Sequence, residues 1–295
     1  MWDYSEASRL FTLRSVHSRQ CIWCFKELYR LDPVHVESKT SKRRLIAQLS
    51  VCRFCGWWTA YRVHQGDHPS TAHLYECYDG IVGSLREFDA ADISVPIEDV
   101  RRYLQINQDR VYDLHPRVFE EVVGSIFKDH GWQVKVTAYT GDDGVDVVLT
   151  CGAKTVGVQV KKNKKERKVE AEQIRALAGA LVLNGMTEGV FVTTSSYRKG
   201  AVLTAASYCQ RGFQVHLLDC KRFFEALEIA QLHSFSLNEE TLWKRVFSEG
   251  AYVGSGVQKR FKKKEDIYSR KIISSAYLAD EFIDLYGEQP LHFGA

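Results

Sequence analysis

Residues 141–162 read GDDGVDVVLTCGAKTVGVQVKK, and the fold turns on how this stretch pairs with itself. Two apolar runs, 145–150 and 155–161, flank a short turn and alternate as strands do. If Gly152 and Ala153 form a two-residue hairpin turn, Cys151 pairs with Lys154 and the register of every other pair follows. Asp146 then lies across from Gln159. Residues two apart share a face, so Lys161 joins them on one side while Val158 and Val160 point to the other. One face of the hairpin is apolar, and the other carries a carboxylate, an amide and an ammonium.

The flanking sequence supplies the rest of a domain. Upstream, Pro116 suits the first position of a helix, Phe119, Val122, Val123, Ile126 and Phe127 form a stripe at helical spacing, and Gly131 ends it. QVKVTAY at 133–139 is a further strand. Downstream, a helix is expected over about 169–184, with Ile174, Leu177, Leu181 and Val182 on one face. GVFVTT at 189–194 is apolar throughout and therefore an interior strand. A helix over 198–210, the strand FQVHLLD and the helix KRFFEAL follow. Antiparallel strands giving way to alternating helix and strand imply an α/β domain with a mixed central sheet flanked by helices.

The remaining chain divides around this domain. Residues 1–79 hold the paired cysteines and are expected to form a small zinc-binding module. Residues 80–112 read as a connector in which VPIEDVRRYLQI is helical, 113–228 as the α/β domain, and 229–295 as a basic, helical extension. The composition is that of an ordinary globular chain, and a formal net charge of +3 over 295 residues is too small to diagnose a nucleic-acid partner. The charge is local, in Lys161–Lys168 and Lys259–Lys264. Neither a secretory leader nor a membrane span is legible, so a cytoplasmic location is expected.

In a reducing compartment, CIWC at 21–24 and CRFC at 52–55 point to metal before disulfide. Each pair sets two thiolates on a tight knuckle, and Cys21, Cys24, Cys52 and Cys55 complete a tetrahedral structural Zn²⁺ site. The 27 residues between the pairs must hold folded structure. His64, His68, His73 and Cys77 make a looser series, read as structural. No phosphate-binding glycine loop and no Ser/His/Asp arrangement is apparent.

The polar hairpin face has its own chemistry. A carboxylate and a carbonyl oxygen are hard ligands suited to Mg²⁺, which borrows further ligands from phosphate. A neighbouring lysine can orient or deprotonate an attacking water and offset charge on phosphorus. The chemistry implied is phosphodiester hydrolysis. Helical geometry adds Glu120, at the edge of the apolar stripe, whereas Glu121 points away from the core.

PRVFEEVVGSIFKDHGWQVKVTAYTGDDGVDVVL (116–149), VGVQVKK (156–162) and IRALAGALVLNGMTEGVFVTTSSY (174–197) together resemble the catalytic domain of Mrr-like restriction endonucleases. These belong to the PD-(D/E)XK nuclease superfamily. The resemblance implies a restriction-endonuclease-like fold, with Asp146 as metal ligand, Lys161 as catalytic lysine and Glu120 as the acidic residue of the first helix. Gln159 fills a place that holds Glu or Asp in many relatives, which lowers the charge of the metal site. Asp143 stands where the family more often has glycine, and is read as a turn residue before a metal ligand.

The expected protein is thus a Mg²⁺-dependent endonuclease acting on double-stranded DNA, in restriction or defence against foreign DNA. Asp146, the Val160 carbonyl and Glu120 would hold the metal. Lys162, Lys164, Lys165, Arg167 and Lys168 would contact the phosphate backbone. One site cuts one strand, so a homodimer or two binding events would be needed to cut both. The zinc module would read the target or hold a defence-system protein partner. Two alternatives stay open: a DNA-binding or assembly protein with a vestigial site, and a junction-selective nuclease on the same fold.

Overall fold

The computed structural model describes residues 2–3, 18–37, 44–67, 73–137, 144–240, 242–243, 255–262 and 269–274. They divide into two compact units, one of Met1–Arg86 with Ser236–Ala295 and one of Glu87–Phe235.

The first unit is an antiparallel β structure. A short β1 (Trp2–Asp3) pairs with β7 (Ser84–Leu85). β2 (Tyr29–Arg30), β3 (Val34–Glu37) and β4 (Arg44–Val51) fill the interval between the two CxxC pairs. β4 then pairs along its length with β5 (Trp58–Asp67), and β5 with β6 (His73–Val82). Ala47, Leu49, Val51, Trp57, Trp58 and Ala60 are buried in this sheet.

The second unit begins with α1 (Ile97–Leu104), whose Glu98 and Asp99 in the first turn and Arg101 and Arg102 in the last complement the helix dipole. Residues 87–112, part of the 80–112 segment read from sequence as a connector, contribute Val100, Leu104 and Val111 to this unit's core, because an amphipathic helix must bury its stripe somewhere. A 3₁₀ turn at Gln108–Tyr112 leads to α2 (Pro116–Asp129). Then come β8 (Gln133–Val136), β9 (Val147–Cys151), β10 (Lys154–Lys161) and α3 (Ala171–Leu183), the last opened by a Glu170/Gln173 capping box. β11 (Glu188–Thr193), α4 (Lys199–Cys209), β12 (Gln214–Leu218) and α5 (Cys220–Ser234) complete it.

The sheet runs β12-β11-β10-β9-β8, parallel across β10, β11 and β12 and antiparallel across β8, β9 and β10. It is the mixed α/β sheet expected. Its hairpin has the expected register, with Cys151 opposite Lys154 and Val147 opposite Val158. On one face Val156, Val158, Val160, Val190 and Val192 pack with Phe119 of α2 and Phe223 of α5. On the other, Phe191 and Val215 pack under Ile174, Leu177 and Leu181 of α3 and Ala201 of α4.

Two glycines bring α3 onto the sheet. Gly157 and Gly189 are direct partners across β10 and β11. A Cβ on Gly157 would meet Leu181 Cδ2 at 2.8 Å, and one on Gly189 would meet Leu181 Cδ1 at 2.7 Å. The side chain of Leu181 occupies the space that two ordinary residues would take.

After α5 the backbone forms two strands, β13 (Ser255–Lys262) and β14 (Ser269–Ser274), in place of the helical extension expected there. β13 pairs antiparallel with β6 and with β14. The reason is tertiary: the open edge of β6 offers unpaired N–H and C=O groups, and satisfying them outweighs a weak local helical pattern. Of the second lysine cluster, Lys263 and Lys264 lie outside the described residues. No helix among the described residues is long and apolar enough to cross a membrane.

Candidate active site and metal centre

The hairpin places Asp146 at the root of β9, just before regular pairing begins. In an unbroken ladder it would face Gln159 directly. Instead the Asp146 N–H donates to Val158 O (2.9 Å) and the Val160 N–H donates to the Asp146 carboxylate at Oδ2 (2.6 Å). The carboxylate thus takes the place of a strand carbonyl and is locked against β10. Its backbone carbonyl is held in turn by Thr137, whose N–H donates to it at 2.9 Å and whose hydroxyl lies 2.9 Å from both Val145 O and Asp146 O. Asp143 lies outside the described residues.

On β10 the alternation separates the roles as expected. Val160 is buried in the core, Gln159 is half-buried on the opposite face, and Lys161 is exposed at the strand's end. Gln159 Oε1 is buried and has no hydrogen-bond partner among the described residues. A buried acceptor left unpaired costs about 1–3 kcal/mol, so the site is short of one donor or cation at this atom. A hard divalent ion would answer that oxygen, and the carboxylates of Asp146 and Glu120 are donors of the kind such an ion takes.

Glu120 sits on α2 with its side chain 15% exposed. It is ion-paired to Arg117, whose Nη1 lies 3.3 Å from Glu120 Oε2 and donates to Thr137 O at 2.7 Å. Arg117 Nε also donates to Glu121 Oε1 (3.2 Å). Arg117 and Thr137 therefore connect the helix carboxylate to the backbone of Asp146. Sequence reading passed over both, although an arginine in the first turn of a helix was a visible anomaly.

The lysine-rich segment after β10 is pinned at both ends to the exit of β11. Asn163 N–H donates to Thr194 Oγ1 (2.8 Å), Ser195 Oγ–H donates to Lys165 O (2.9 Å), and Val169 N–H donates to Ser196 O (2.9 Å). Lys164, Lys165, Arg167 and Lys168 are exposed on this anchored loop. Lys162 differs, because its ammonium turns inward and donates to Tyr112 O at 3.0 Å. Beside the loop lies a cleft of about 560 Å³, lined among others by Tyr112, Lys165, Ser195, Asp219 and Cys220.

In the first unit, the Sγ atoms of Cys21, Cys24, Cys52 and Cys55 lie within 4.8 Å of one another. The two loops that carry them repeat one design. Phe25 N–H donates to Cys21 O (3.0 Å) and Gly56 N–H to Cys52 O (2.9 Å); Cys21 N–H donates to Lys26 O (2.8 Å) and Cys52 N–H to Trp57 O (2.6 Å). The residue after each second cysteine is left-handed, Phe25 at φ 58° and Gly56 at φ 72°. Glycine takes that conformation freely, whereas Phe25, the one non-glycine residue with positive φ among the described residues, pays about 1–2 kcal/mol for it. Such strain persists where geometry is over-determined.

The neighbouring thiols, with Cys24 Sγ 3.3 Å away, draw the Cys52 thiol below its ordinary pKa, while the other thiols and burial push Cys21 and Cys55 up. Trp2 closes the site by donating its indole N–H to Cys55 O (2.8 Å), and Trp57 and Trp23 both donate to Gly83 O (3.0 and 3.3 Å). Four sulfurs in this arrangement could bind zinc. The side chains of His64, His73 and Cys77, and the whole of His68, lie outside the described residues.

No curated protein matches the chain. Among solved structures, the protein AF1548, of unknown function, is 15% identical with a TM-score of 0.32, over 42% of this chain and 73% of that one. The MspJI restriction endonuclease, solved in complex with a 27-mer oligonucleotide, is 19% identical with a TM-score of 0.34, over 56% of this chain and 39% of its own. The DNA modification-dependent restriction endonuclease AspBHI is 16% identical with a TM-score of 0.31, over 50% and 40%. The chain thus spans about two fifths of those two endonucleases. A family model gives the assignment: residues 111–227 match the Mrr catalytic model, described as restriction endonuclease, and this segment is a restriction endonuclease domain of that family.

Proposed function

We propose that the chain is a metal-dependent endonuclease that hydrolyses phosphodiester bonds of double-stranded DNA, in restriction of foreign DNA. The family match over residues 111–227 supports the class of reaction. The observation that carries the site assignment is a strand-locked Asp146 carboxylate together with a buried Gln159 Oε1 that has no partner among the described residues, on the strand that ends in Lys161.

Asp146, Glu120 and the Val160 carbonyl would hold Mg²⁺, with Gln159 supporting a water or the scissile phosphate. A divalent ion in that position neutralises charge on phosphorus and makes water a better nucleophile. The rest falls to the chain. Asp146 is fixed by the Val160 N–H and by Thr137, so its carboxylate does not have to be ordered when substrate arrives. Lys161 Nζ orients the attacking water and stabilises the non-bridging oxygens as the new oxygen–phosphorus bond forms and the bond to the leaving sugar oxygen breaks. Lys164, Lys165, Arg167 and Lys168, on a loop anchored to β11, hold the flanking phosphates.

The four-cysteine site is proposed to hold structural Zn²⁺, leaving its module free to read the target or a partner. Two copies of the chain acting together would cut both strands. Incubating modified and unmodified plasmid with the chain across divalent metals tests the reading, with Lys161→Ala as control. Metal-dependent breakage lost in Lys161→Ala supports it, and intact plasmid under every condition overturns it. The neutral Gln159 favours one second reading, a DNA-binding protein with a vestigial site. Salt-sensitive binding without turnover, unchanged in Asp146→Ala, would mark that case.

A further inference from the structure

Helix α2 opens against the usual electrostatic rule. Its first turn has no acidic residue and contains Arg117. A cation beside the unsatisfied N–H groups of a helix start costs about 0.3–1 kcal/mol. Three acceptors offset that cost: Glu120 Oε2, Glu121 Oε1 and Thr137 O. Two of them lead to the site. Glu120 is the helix carboxylate of the candidate metal set, and Thr137 holds the carbonyl of Asp146 through its N–H and hydroxyl.

We propose that Arg117 is the resident counter-cation of this site, a positioning residue that holds the Glu120 carboxylate in the metal-free protein and yields it to an incoming divalent cation. The inference rests on the nuclease reading of residues 111–227. A carboxylate only 15% exposed calls for cations or donors beside it, and among the described residues Arg117 is one such cation, 3.3 Å away. Releasing Glu120 would not strand the guanidinium. Its Nη1 keeps Thr137 O at 2.7 Å and its Nε keeps Glu121 at 3.2 Å, so no buried donor is left unmet. The shared Nη1 makes the exchange local: one carboxylate leaves while the Thr137 anchor on Asp146 stays.

Competition and simple anchoring predict opposite signs. An arginine that only braces the helix to the strand end would, when replaced, loosen the site and weaken metal binding. An arginine that competes for Glu120 would, when replaced, leave the carboxylate to the metal and strengthen binding. The Glu120 pair is one charge-assisted hydrogen bond, so the gain expected is about tenfold.

Calorimetric titration of the full chain with Ca²⁺, without DNA, reads this directly. Arg117→Met should tighten Ca²⁺ binding about tenfold. Arg117→Gln, which keeps a donor for Thr137 O, should do the same should the Met variant fold poorly. Arg117→Lys keeps the cation without the planar fork and should stay within about threefold of wild type. In a Glu120→Gln background the Arg117→Met gain should vanish. Unchanged or weaker binding in both neutral variants overturns the proposal, as does a gain that survives Glu120→Gln. Should wild type bind Ca²⁺ in a manner lost with Asp146→Ala while the Arg117 variants show no gain, only the Arg117 proposal fails. Absence of Ca²⁺ binding from every protein, with no cleavage by wild type, overturns the nuclease reading and this proposal together.

Discussion

Replacing Cys52 with alanine should remove a zinc ion and destabilise the first unit while leaving the second unaffected. The size of the effect follows from the geometry of the four sulfurs. A tetrahedral zinc with Zn–S bonds of about 2.3 Å needs sulfurs about 3.8 Å apart. Cys21 and Cys55 stand at 3.7 Å, Cys24 and Cys52 at 3.3 Å, and all four within 4.8 Å, so an ion enters with small adjustments. Structural zinc contributes about 10–16 kcal/mol of apparent binding free energy in small zinc-finger peptides, as much as the whole stability of a typical domain. A unit that also has its own apolar sheet should retain some order without the ion, but not the knuckles. The assay is zinc content per chain by a colorimetric chelator, with thermal unfolding followed in parallel. Wild type should carry one zinc per chain, and Cys52→Ala less than a tenth of that. Two unfolding transitions should resolve, and only the one from the first unit should shift, because residues 87–235 have separate cores. Metal-free wild type with both transitions intact, or Cys52→Ala with unaltered unfolding, would refute the zinc assignment.

Two further outcomes concern the second unit. Arg101 is fully buried between α1 and α2, donating to Asp129 Oδ2 (2.5 Å) and Glu98 Oε1 (3.3 Å). Arg101→Met should destabilise the unit by about 2–4 kcal/mol in denaturant unfolding, less than a fully buried pair because Asp129 is part-exposed, and Asp129→Asn should recover part of the loss. Gly157→Ala drives a Cβ to 2.8 Å from Leu181 Cδ2 and 3.1 Å from Met186 Sδ, so overpacking of about 1–3 kcal/mol and a melting temperature lower by roughly 3–10 °C are expected. A melting temperature equal to wild type would show that α3 can shift outward at no cost.

The parts of this protein that could be read from its sequence are those set by short-range periodicity. A two-residue turn and a period of two sufficed for the β9–β10 register, because shifting it by one would have turned Val156 and Val158 out of the core. The same rule stops one residue short at the functional end. There the Asp146 side chain replaces a backbone acceptor, and alternation carries no information about that exchange. Arg117 and Thr137 were missed since their contact spans 20 residues and depends on how α2 lies against β8. Lys162 reads as one more exposed lysine until the turn at Tyr112 is in place to accept its hydrogen bond. The strands β13 and β14 depend on an open edge at β6 that exists only once the first unit has folded.

The most direct test of the account is the Mg²⁺-dependent rate of nicking of supercoiled plasmid by wild type against Asp146→Ala, at matched folding by circular dichroism. The account predicts nicking by wild type that stops when the metal is chelated, and a fall of at least a hundredfold in Asp146→Ala. Equal nicking by the two proteins would contradict it, since the carboxylate locked on the Val160 N–H would then have no part in the reaction.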